Sequence, residues 1–252
     1  MNTLFKLALV IKTIVNFPTA ILDRLGLLRG EVVYRIRKNS MQFIARSRTE
    51  DLAEIAVVAS GSEYDMKSIK LPSRPIIVDL GGHIGTFSIP IATMLKDKCK
   101  IYTYEPDKEN YRILRQNITL NNIHSINPVN LAISDYVGKG YLKTKEMNTD
   151  AYYLEPSQKK KSNCLVSTLP YEFKKYKVNN VDLLKMDIEG EEETIFVHDP
   201  SLKAIKDKVR YIFIEVSPVY ESSRMKGIID KNFRTIHRHK NVLTLENVHL
   251  KL

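Results

Sequence analysis

The stretch PIIVDLGGHIG, residues 75–85, decides the fold. Ile76, Ile77 and Val78 form a short β-branched run that ends in Asp79; Gly81, Gly82 and Gly85 then turn the chain into the apolar segment Phe87–Leu95. This order predicts a strand, a glycine turn and a helix. Glycines let backbone approach a ligand with no Cβ in the way. The helix that follows offers free N–H groups and a positive dipole end to a polar or anionic group.

The alternation continues downstream. Lys100–Tyr104 reads as a strand closed by Glu105-Pro106, and Asp107–Asn121 as a helix with Tyr111, Leu114 and Ile118 on one face. Pro128–Ile133 is strand-like, Gly138-Lys139-Gly140 reads as a hairpin turn, and the polar residues 144–163 as a loop. Val181–Met186 and Arg210–Val216 are two more strands, separated by a helix starting near Glu191 and a charged stretch at Lys203–Lys208. Strands alternating with helices predict an α/β fold with a doubly wound, mostly parallel sheet and helices on both faces.

Upstream the chain changes character. It has 252 residues, 43% hydrophobic and 27% charged, which suits a globular α/β body and excludes whole-chain disorder, collagen and a disulfide scaffold. Cys99 and Cys164 stand apart with no Cys/His cluster, so no metal site is expected and the chain reads as cytoplasmic. Its net charge is +10, and residues 1–48 hold nine basic residues against Asp23 and Glu31. That asymmetry favours an anionic neighbour or a solvated basic face. Apolar residues recur at helical spacing through residues 1–28, broken at Pro18, and no run approaches the roughly 20 residues of a membrane span. Residues 1–45 are expected to be a basic, amphipathic helical extension, docked on the body or lying on a bilayer through residues 1–30. Residues 46–252 are expected to be the catalytic domain.

The glycines discriminate between cofactors. A dinucleotide fingerprint needs G-x-G-x-x-G, whereas here Gly81 and Gly82 adjoin and Gly85 follows. A D-x-G-x-x-x-G turn suits S-adenosylmethionine, which has no pyrophosphate. Glu105, at the end of the next strand, stands where a carboxylate accepts hydrogen bonds from ribose hydroxyls. Asp79, Gly81, Gly82, His83, Gly85, Thr86, Glu105 and Pro106 are the resulting cofactor-site candidates.

VDLGGHIGTFSIPIA (78–92), YTYEPDKENYRILRQNITLNN (102–122), NLAISDYVGKGYL (130–142) and LLKMDIEGEEETIF (183–196) together resemble FkbM-type methyltransferases, as does RSRTED (46–51). The resemblance implies a Rossmann-like class I methyltransferase fold and S-adenosylmethionine-dependent O-methylation of sugar, glycolipid or polysaccharide-type hydroxyls. It matches Ser134 and Asp135 to the segment near the adenine, and Asp187 and Glu189 to the acidic pair facing the methyl group. Glu215 matches a strand-end glutamate, but the family's histidine two residues later is Ser217 here, and Gly82 replaces a more usual alanine.

Methyl transfer from a sulfonium needs alignment and a place for the hydroxyl proton. Asp187 and Glu189, two apart at a strand end, share a face if the chain stays extended. His83 is an alternative base, with a pKa ordinarily near neutrality. No third ligand accompanies the acidic pair to make a metal site. Two rival readings are an RNA methyltransferase, prompted by the basic charge, and a non-catalytic cofactor-binding or peripheral membrane protein. A basic stripe interleaved with aromatics, as an RNA binder shows, is not evident, so nucleic acid is disfavoured. The acceptor's identity and the oligomeric state are not written in the sequence.

Overall fold

The computed structural model describes residues 3–250 other than 62, 146, 147, 157–161, 189, 218, 221 and 222; for 3–7, 144, 145, 148–153 and 156 it describes the backbone alone. Glu189 and residues 157–161 of the polar stretch 144–163 lie outside the described residues.

The N-terminal part contains α1 (Thr3–Thr13), α2 (Phe17–Arg24), β1 (Glu31–Arg35), β2 (Gln42–Arg46) and α3 (Asp51–Ser60). The expected helical extension is therefore half helix and half hairpin, because β1 and β2 pair antiparallel and bury Tyr34 and Phe43. The outer edge of β2 is closed by side chains rather than by a strand. Asn117 Oδ1 accepts from Ile44 N at 2.7 Å and Asn121 Oδ1 from Gln42 N at 2.9 Å, while both Nδ2 groups donate to the carbonyls of the same residues. Two asparagines thus satisfy an edge that would otherwise leave orphan backbone groups.

The body continues with β3 (Ile76–Leu80), α4 (Ser88–Met94), β4 (Lys100–Tyr104), α5 (Lys108–Leu120) and β5 (Ile126–Val129). Next come β6 (Ala132–Ile133), β7 (Gly138–Lys145), β8 (Asn148–Pro156), β9 (Cys164–Ser167) and α6 (Leu169–Lys175). The chain closes with β10 (Val181–Met186), α7 (Glu192–Val197), α8 (Asp199–Lys208), β11 (Val209–Glu215), α9 (Arg224–Asn232), β12 (Phe233–His239) and β13 (Val242–Asn247).

The main sheet runs β12-β13-β11-β10-β3-β4-β5. Its strands from β11 to β5 pair in parallel, and β13 and β12 add antiparallel at one edge, so the sheet is mixed. Side-chain alternation along the strands feeds two cores. Ile77, Ile101, Leu183 and Phe213 pack with α3, α4, α5 and the N-terminal hairpin; Val78, Tyr102, Leu184 and Ile212 pack with α6, α7, α8 and α9. Helices accordingly cover both faces.

Three local expectations need correction. Pro128–Ile133 is not one strand: β5 joins the main sheet and β6 a second sheet of order β6-β9-β7-β8. Gly138 and Gly140 lie within β7 rather than in a turn. Part of 144–163 is β8, paired antiparallel with β7, so that stretch is not all loop.

Candidate functional site

Parallel strands end together, and the cleft opens at that end, between the tips of β3, β4 and β10. It encloses about 330 Å³.

At its floor the register places Lys185 beside Asp79 and Asp79 beside Thr103. Asp79 is 0% exposed and does not line the cleft. Its Oδ2 accepts from Ser88 Oγ at 2.5 Å and Thr103 Oγ1 at 3.0 Å, and Oδ1 lies 3.4 Å from Lys185 Nζ. Lys185, 3% exposed, donates to the carbonyls of Leu80 at 3.1 Å and Gly81 at 2.7 Å and lies 3.6 Å from Asp187 Oδ2. Burial lowers the pKa of this ammonium, but Asp79 and Asp187 outweigh burial and raise it above its ordinary value. The floor therefore carries a permanent cation between two carboxylates.

The glycine turn is shaped by protein contacts. Gly81 has φ +78°, and a Cβ there would fall 1.9 Å from the Asp187 carbonyl oxygen. Gly81 and Gly82 both donate N–H to the Tyr104 carbonyl, at 3.0 and 2.9 Å. His83, also at positive φ, donates its backbone N–H to Glu105 Oε2 at 2.7 Å. Glu105 Oε1 accepts from Asp107 N at 2.8 Å. Only 4% of Glu105 is exposed, and burial raises its pKa against the opposing pull of His83 and these N–H groups. Asn130 Nδ2 donates to the Glu105 and Pro106 carbonyls and fixes the bend after β4.

The RSRTED segment explains the His83 ring. Arg46 grips the buried Asp51 with Nη2 at 2.8 Å and Nε at 3.0 Å, and Thr49 Oγ1 accepts from Asp51 N at 3.2 Å at the start of α3. His83 Nδ1 is 2.8 Å from Glu54 Oε2 and Nε2 is 3.4 Å from Asp51 Oδ1. Arg46 Nη2 also approaches Nε2, at 3.2 Å, because both cations share the same carboxylate. Burial lowers the His83 pKa, yet Glu54 and Asp51 outweigh it and hold the pKa well above its ordinary value. Both ring nitrogens are thus turned to protein groups, Glu54 on one side and Asp51 with Arg46 on the other, which argues against His83 as the base.

Around Asp187 the wall is acidic. Tyr64 Oη donates to Asp187 Oδ2 at 3.4 Å, with its ring held edge-on to Phe87 at 5.0 Å and against Phe213 at 5.5 Å. Burial works against the Asp187 charge, but Lys185, Glu215 and Tyr64 keep its carboxyl below the ordinary value. Glu63 also lines the cleft; burial, with Asp187 nearby, pushes its pKa up to about 7. Among the described residues no group of His, Cys, Asp and Glu side chains is arranged to hold a metal ion.

The profile of the methyltransferase FkbM domain matches residues 79–241, the span that contains the turn, Glu105, Lys185, Asp187 and Glu215. The chain belongs to the FkbM methyltransferase family. No curated protein matches it. In structure this FkbM methyltransferase is similar to a proposed transferase of Pyrococcus horikoshii, at 15% identity and TM-score 0.48, over 87% of this chain and 72% of that one. It is similar also to M. jannaschii TYW2 in complex with AdoMet (14%, 0.41, 88% and 88%) and to an rRNA methylase of Streptococcus thermophilus (11%, 0.43, 70% and 89%).

Of the residues singled out from the sequence, Gly81, His83, Thr86, Glu105, Pro106 and Asp187 line the cleft of this FkbM methyltransferase. Asp79, Gly82 and Gly85 do not; a Cβ at Gly82 would meet Thr103 Oγ1 at 2.3 Å and one at Gly85 would meet Ile89 at 2.7 Å, so these glycines serve close packing. Ser134 and Asp135 are also outside the lining, where Leu131, Ala132 and Ile133 stand instead. Ser134 Oγ donates to Glu191 Oε2 at 2.7 Å, and Glu191 does face the cleft. The loop after β10 is closed by Glu192, whose carboxylate accepts from Ile188 N at 2.7 Å and Gly190 N at 2.9 Å. Sequence reasoning missed Glu54, Glu63, Tyr64, Asn110 and Glu191 as cleft residues; Asn110 and Glu191 lie inside the segments that carry the family resemblance, and Glu54, Glu63 and Tyr64 lie outside them.

Proposed function

We propose that this chain is an S-adenosylmethionine-dependent O-methyltransferase whose acceptor is a neutral hydroxyl, as on a sugar, glycolipid or polysaccharide. One observation carries the cofactor assignment: Glu105 is a buried carboxylate on the cleft, anchored by the N–H groups of His83 and Asp107 and aligned beside the glycine turn. A carboxylate has about four acceptor sites; these two bonds and a long one from Asn110 Nδ2 to Oε1, at 3.5 Å, leave one open for a ribose hydroxyl. Asn110 supports the same reading: it is buried on the cleft wall, its Nδ2 donates to Glu105, and its Oδ1 has no partner among the described residues. In this assignment the ribose lies at Glu105 and Asn110, the adenine beside Leu131–Ile133, and the amino-acid end near Gly81 and Asp187.

When bound, the cofactor supplies a methyl group on a cationic sulfur. The chain's own work is alignment and proton uptake. Asp187, held ionised by Lys185, orients the reacting ends, and Glu63, with a pKa of about 7, accepts the acceptor's hydroxyl proton. A cleft end lined by Glu54, Glu63, Asp187 and Glu215, with its lysine already engaged, repels phosphodiesters and sulfates. That favours an uncharged acceptor over RNA.

Calorimetry tests the cofactor assignment. S-adenosylmethionine should bind the full chain, and Glu105→Ala should weaken it at least tenfold, since bonds to a charged group contribute about 1.5–3 kcal/mol each. Equal affinity in the variant removes Glu105 from the site. Incubating sugar, lipid and RNA fractions with labelled methyl donor identifies the acceptor class, and label in RNA alone would overturn the O-methyl reading.

A further inference from the structure

The N-terminal segment docks on the body and still has an unpartnered face. Its inner face is settled: Val10, Ile14 and Ala20 share one core with Ile55, Ile77 and Phe213 of the body, and Asp23, buried on α2, accepts from Tyr34 Oη at 2.7 Å and Arg48 N at 2.9 Å. Removing this face would expose core, so both modes expected from the sequence are available at once: docking inward and contact outward.

The outer face is rich in exposed aliphatic side chains. Leu25 and Leu27 are 67% and 66% exposed, and Leu22, Ile11, Val15 and Val33 are exposed beside them in the chain. The turn bond from Leu27 N to the Leu22 carbonyl, at 2.9 Å, brings two of these leucines together. Val15 N donates to the Arg35 carbonyl at 2.7 Å, and Asn16 Nδ2 to the Val33 carbonyl at 2.8 Å, so the end of α1 and the outward side of β1 form one surface.

The same segment exposes charge of one sign: Lys12, Arg24, Arg29, Arg35 and Lys38 are all solvent-accessible. Its two acids are already engaged: Asp23 is buried, and Glu31 is paired with Arg112. Exposed aliphatics and basic residues on one segment complement an anionic lipid leaflet, which offers acyl chains for one and phosphates for the other. Among the described residues no helix is long and apolar enough to cross a membrane, so the contact is a surface one.

We propose that the face formed by α2, the α1 end and β1 is a docking surface for an anionic lipid bilayer. This goes beyond the catalytic reading and does not depend on it, because partitioning is measured without methyl transfer.

The test is sedimentation of the full chain with vesicles of phosphatidylcholine alone or mixed with phosphatidylglycerol. The chain should pellet with the mixed vesicles at low salt, stay in solution with the neutral ones, and be released as salt rises. Each basic residue near an anionic leaflet is worth about fivefold in partitioning. Combining Arg24→Gln, Arg29→Gln and Arg35→Gln should therefore cost about a hundredfold, and Leu22→Ser, Leu25→Ser and Leu27→Ser together at least tenfold. Melting temperature and S-adenosylmethionine affinity serve as folding controls. The proposal is overturned if the wild-type chain ignores the mixed vesicles or binds neutral ones equally. It is also overturned if the serine variant binds as well as wild type, which would leave a polyanion such as RNA as the partner. Concentration-dependent dimerisation abolished by the serine substitutions would assign the face to a second copy instead.

Discussion

The backbone of Gly81 lies directly against the carbonyl of Asp187, so close that a Cβ at Gly81 would fall 1.9 Å from that oxygen. The glycine turn and the end of β10 are therefore in van der Waals contact through main chain. Gly81→Ala should destabilise the protein by about 3 kcal/mol or more, combining a clash with strain at positive φ. Gly190 provides the comparison: its φ is +114° but nothing lies within 4 Å of its Cβ position. Gly190→Ala should cost only about 1–3 kcal/mol. Denaturant melts of both variants check the difference, and equal losses would show that strain alone acts at Gly81.

Lys185 joins Asp79 to Asp187 across two strands. Lys185→Met should cost about 3–5 kcal/mol, because it leaves Asp79 charged in a fully buried position. Adding Asp79→Asn should recover part of that loss, since the stranded charge is then gone. A double-mutant cycle on unfolding free energy reads the coupling directly, and additive losses would contradict the pairing.

Glu63 carries a pH signature. Its folded pKa is raised to about 7 from 4.5, so the folded state keeps a proton that the unfolded state releases. Its ionisation thus lowers stability as pH rises between these two values, by roughly 1–3 kcal/mol, and the effect levels off above 7. Glu63→Gln should abolish that slope. As the proposed base, Glu63 must be ionised to act, so turnover should rise with pH through about 7 in the wild type. The glutamine variant should lose roughly 10²- to 10⁴-fold in kcat with cofactor affinity intact. A full-rate variant would return the base to Asp187 or Glu189.

His83 should behave oppositely. Its pKa is raised well above the ordinary 6.5, so its stabilising contribution is complete below 6.5 and is lost as pH rises through the folded value. His83→Asn keeps a residue tolerant of positive φ while removing the charge held by Glu54 and Asp51. Stability should fall most at neutral pH and below, and S-adenosylmethionine affinity should drop modestly through the shifted Glu105 contact. The rise of turnover with pH should persist in this variant; its disappearance would make His83 the proton acceptor.

Legibility followed the range of the forces involved. The strand-turn-helix at Ile76–Met94 was readable because β-branched pattern and glycines act locally, and Asp107 caps α5 where the helix was expected to start. Nothing local to Val181–Met186 assigns Lys185 its partner; only its register beside Asp79, 106 positions earlier, makes it the floor of the cleft. Glu63 and Tyr64 precede a linker with no spacing signal, and Phe87 and Phe213 from distant elements place the tyrosine. β12 has no alternation to read: FRTIHRH is largely polar, its burial follows no period of two and its register shifts between Thr235 and His237. The polar stretch 144–163 reads as a loop because the pairing of β8 with β7, not its composition, makes part of it a strand.

The position of β3 between β4 and β10 also sets a folding order. One flank of β3 is supplied by the next strand in the chain, but the other arrives only with Val181–Met186. Closing so long a loop is entropically unfavourable and slows assembly relative to local pairing. A nascent chain that has released residue 130 already carries the glycine turn and Glu105, yet Asp79 still awaits its cation. Translation must deliver Lys185 before that carboxylate can be buried, so ribosome-bound fragments ending ahead of β10 should remain protease-sensitive at the turn, and competence for ligand should appear late and abruptly during synthesis.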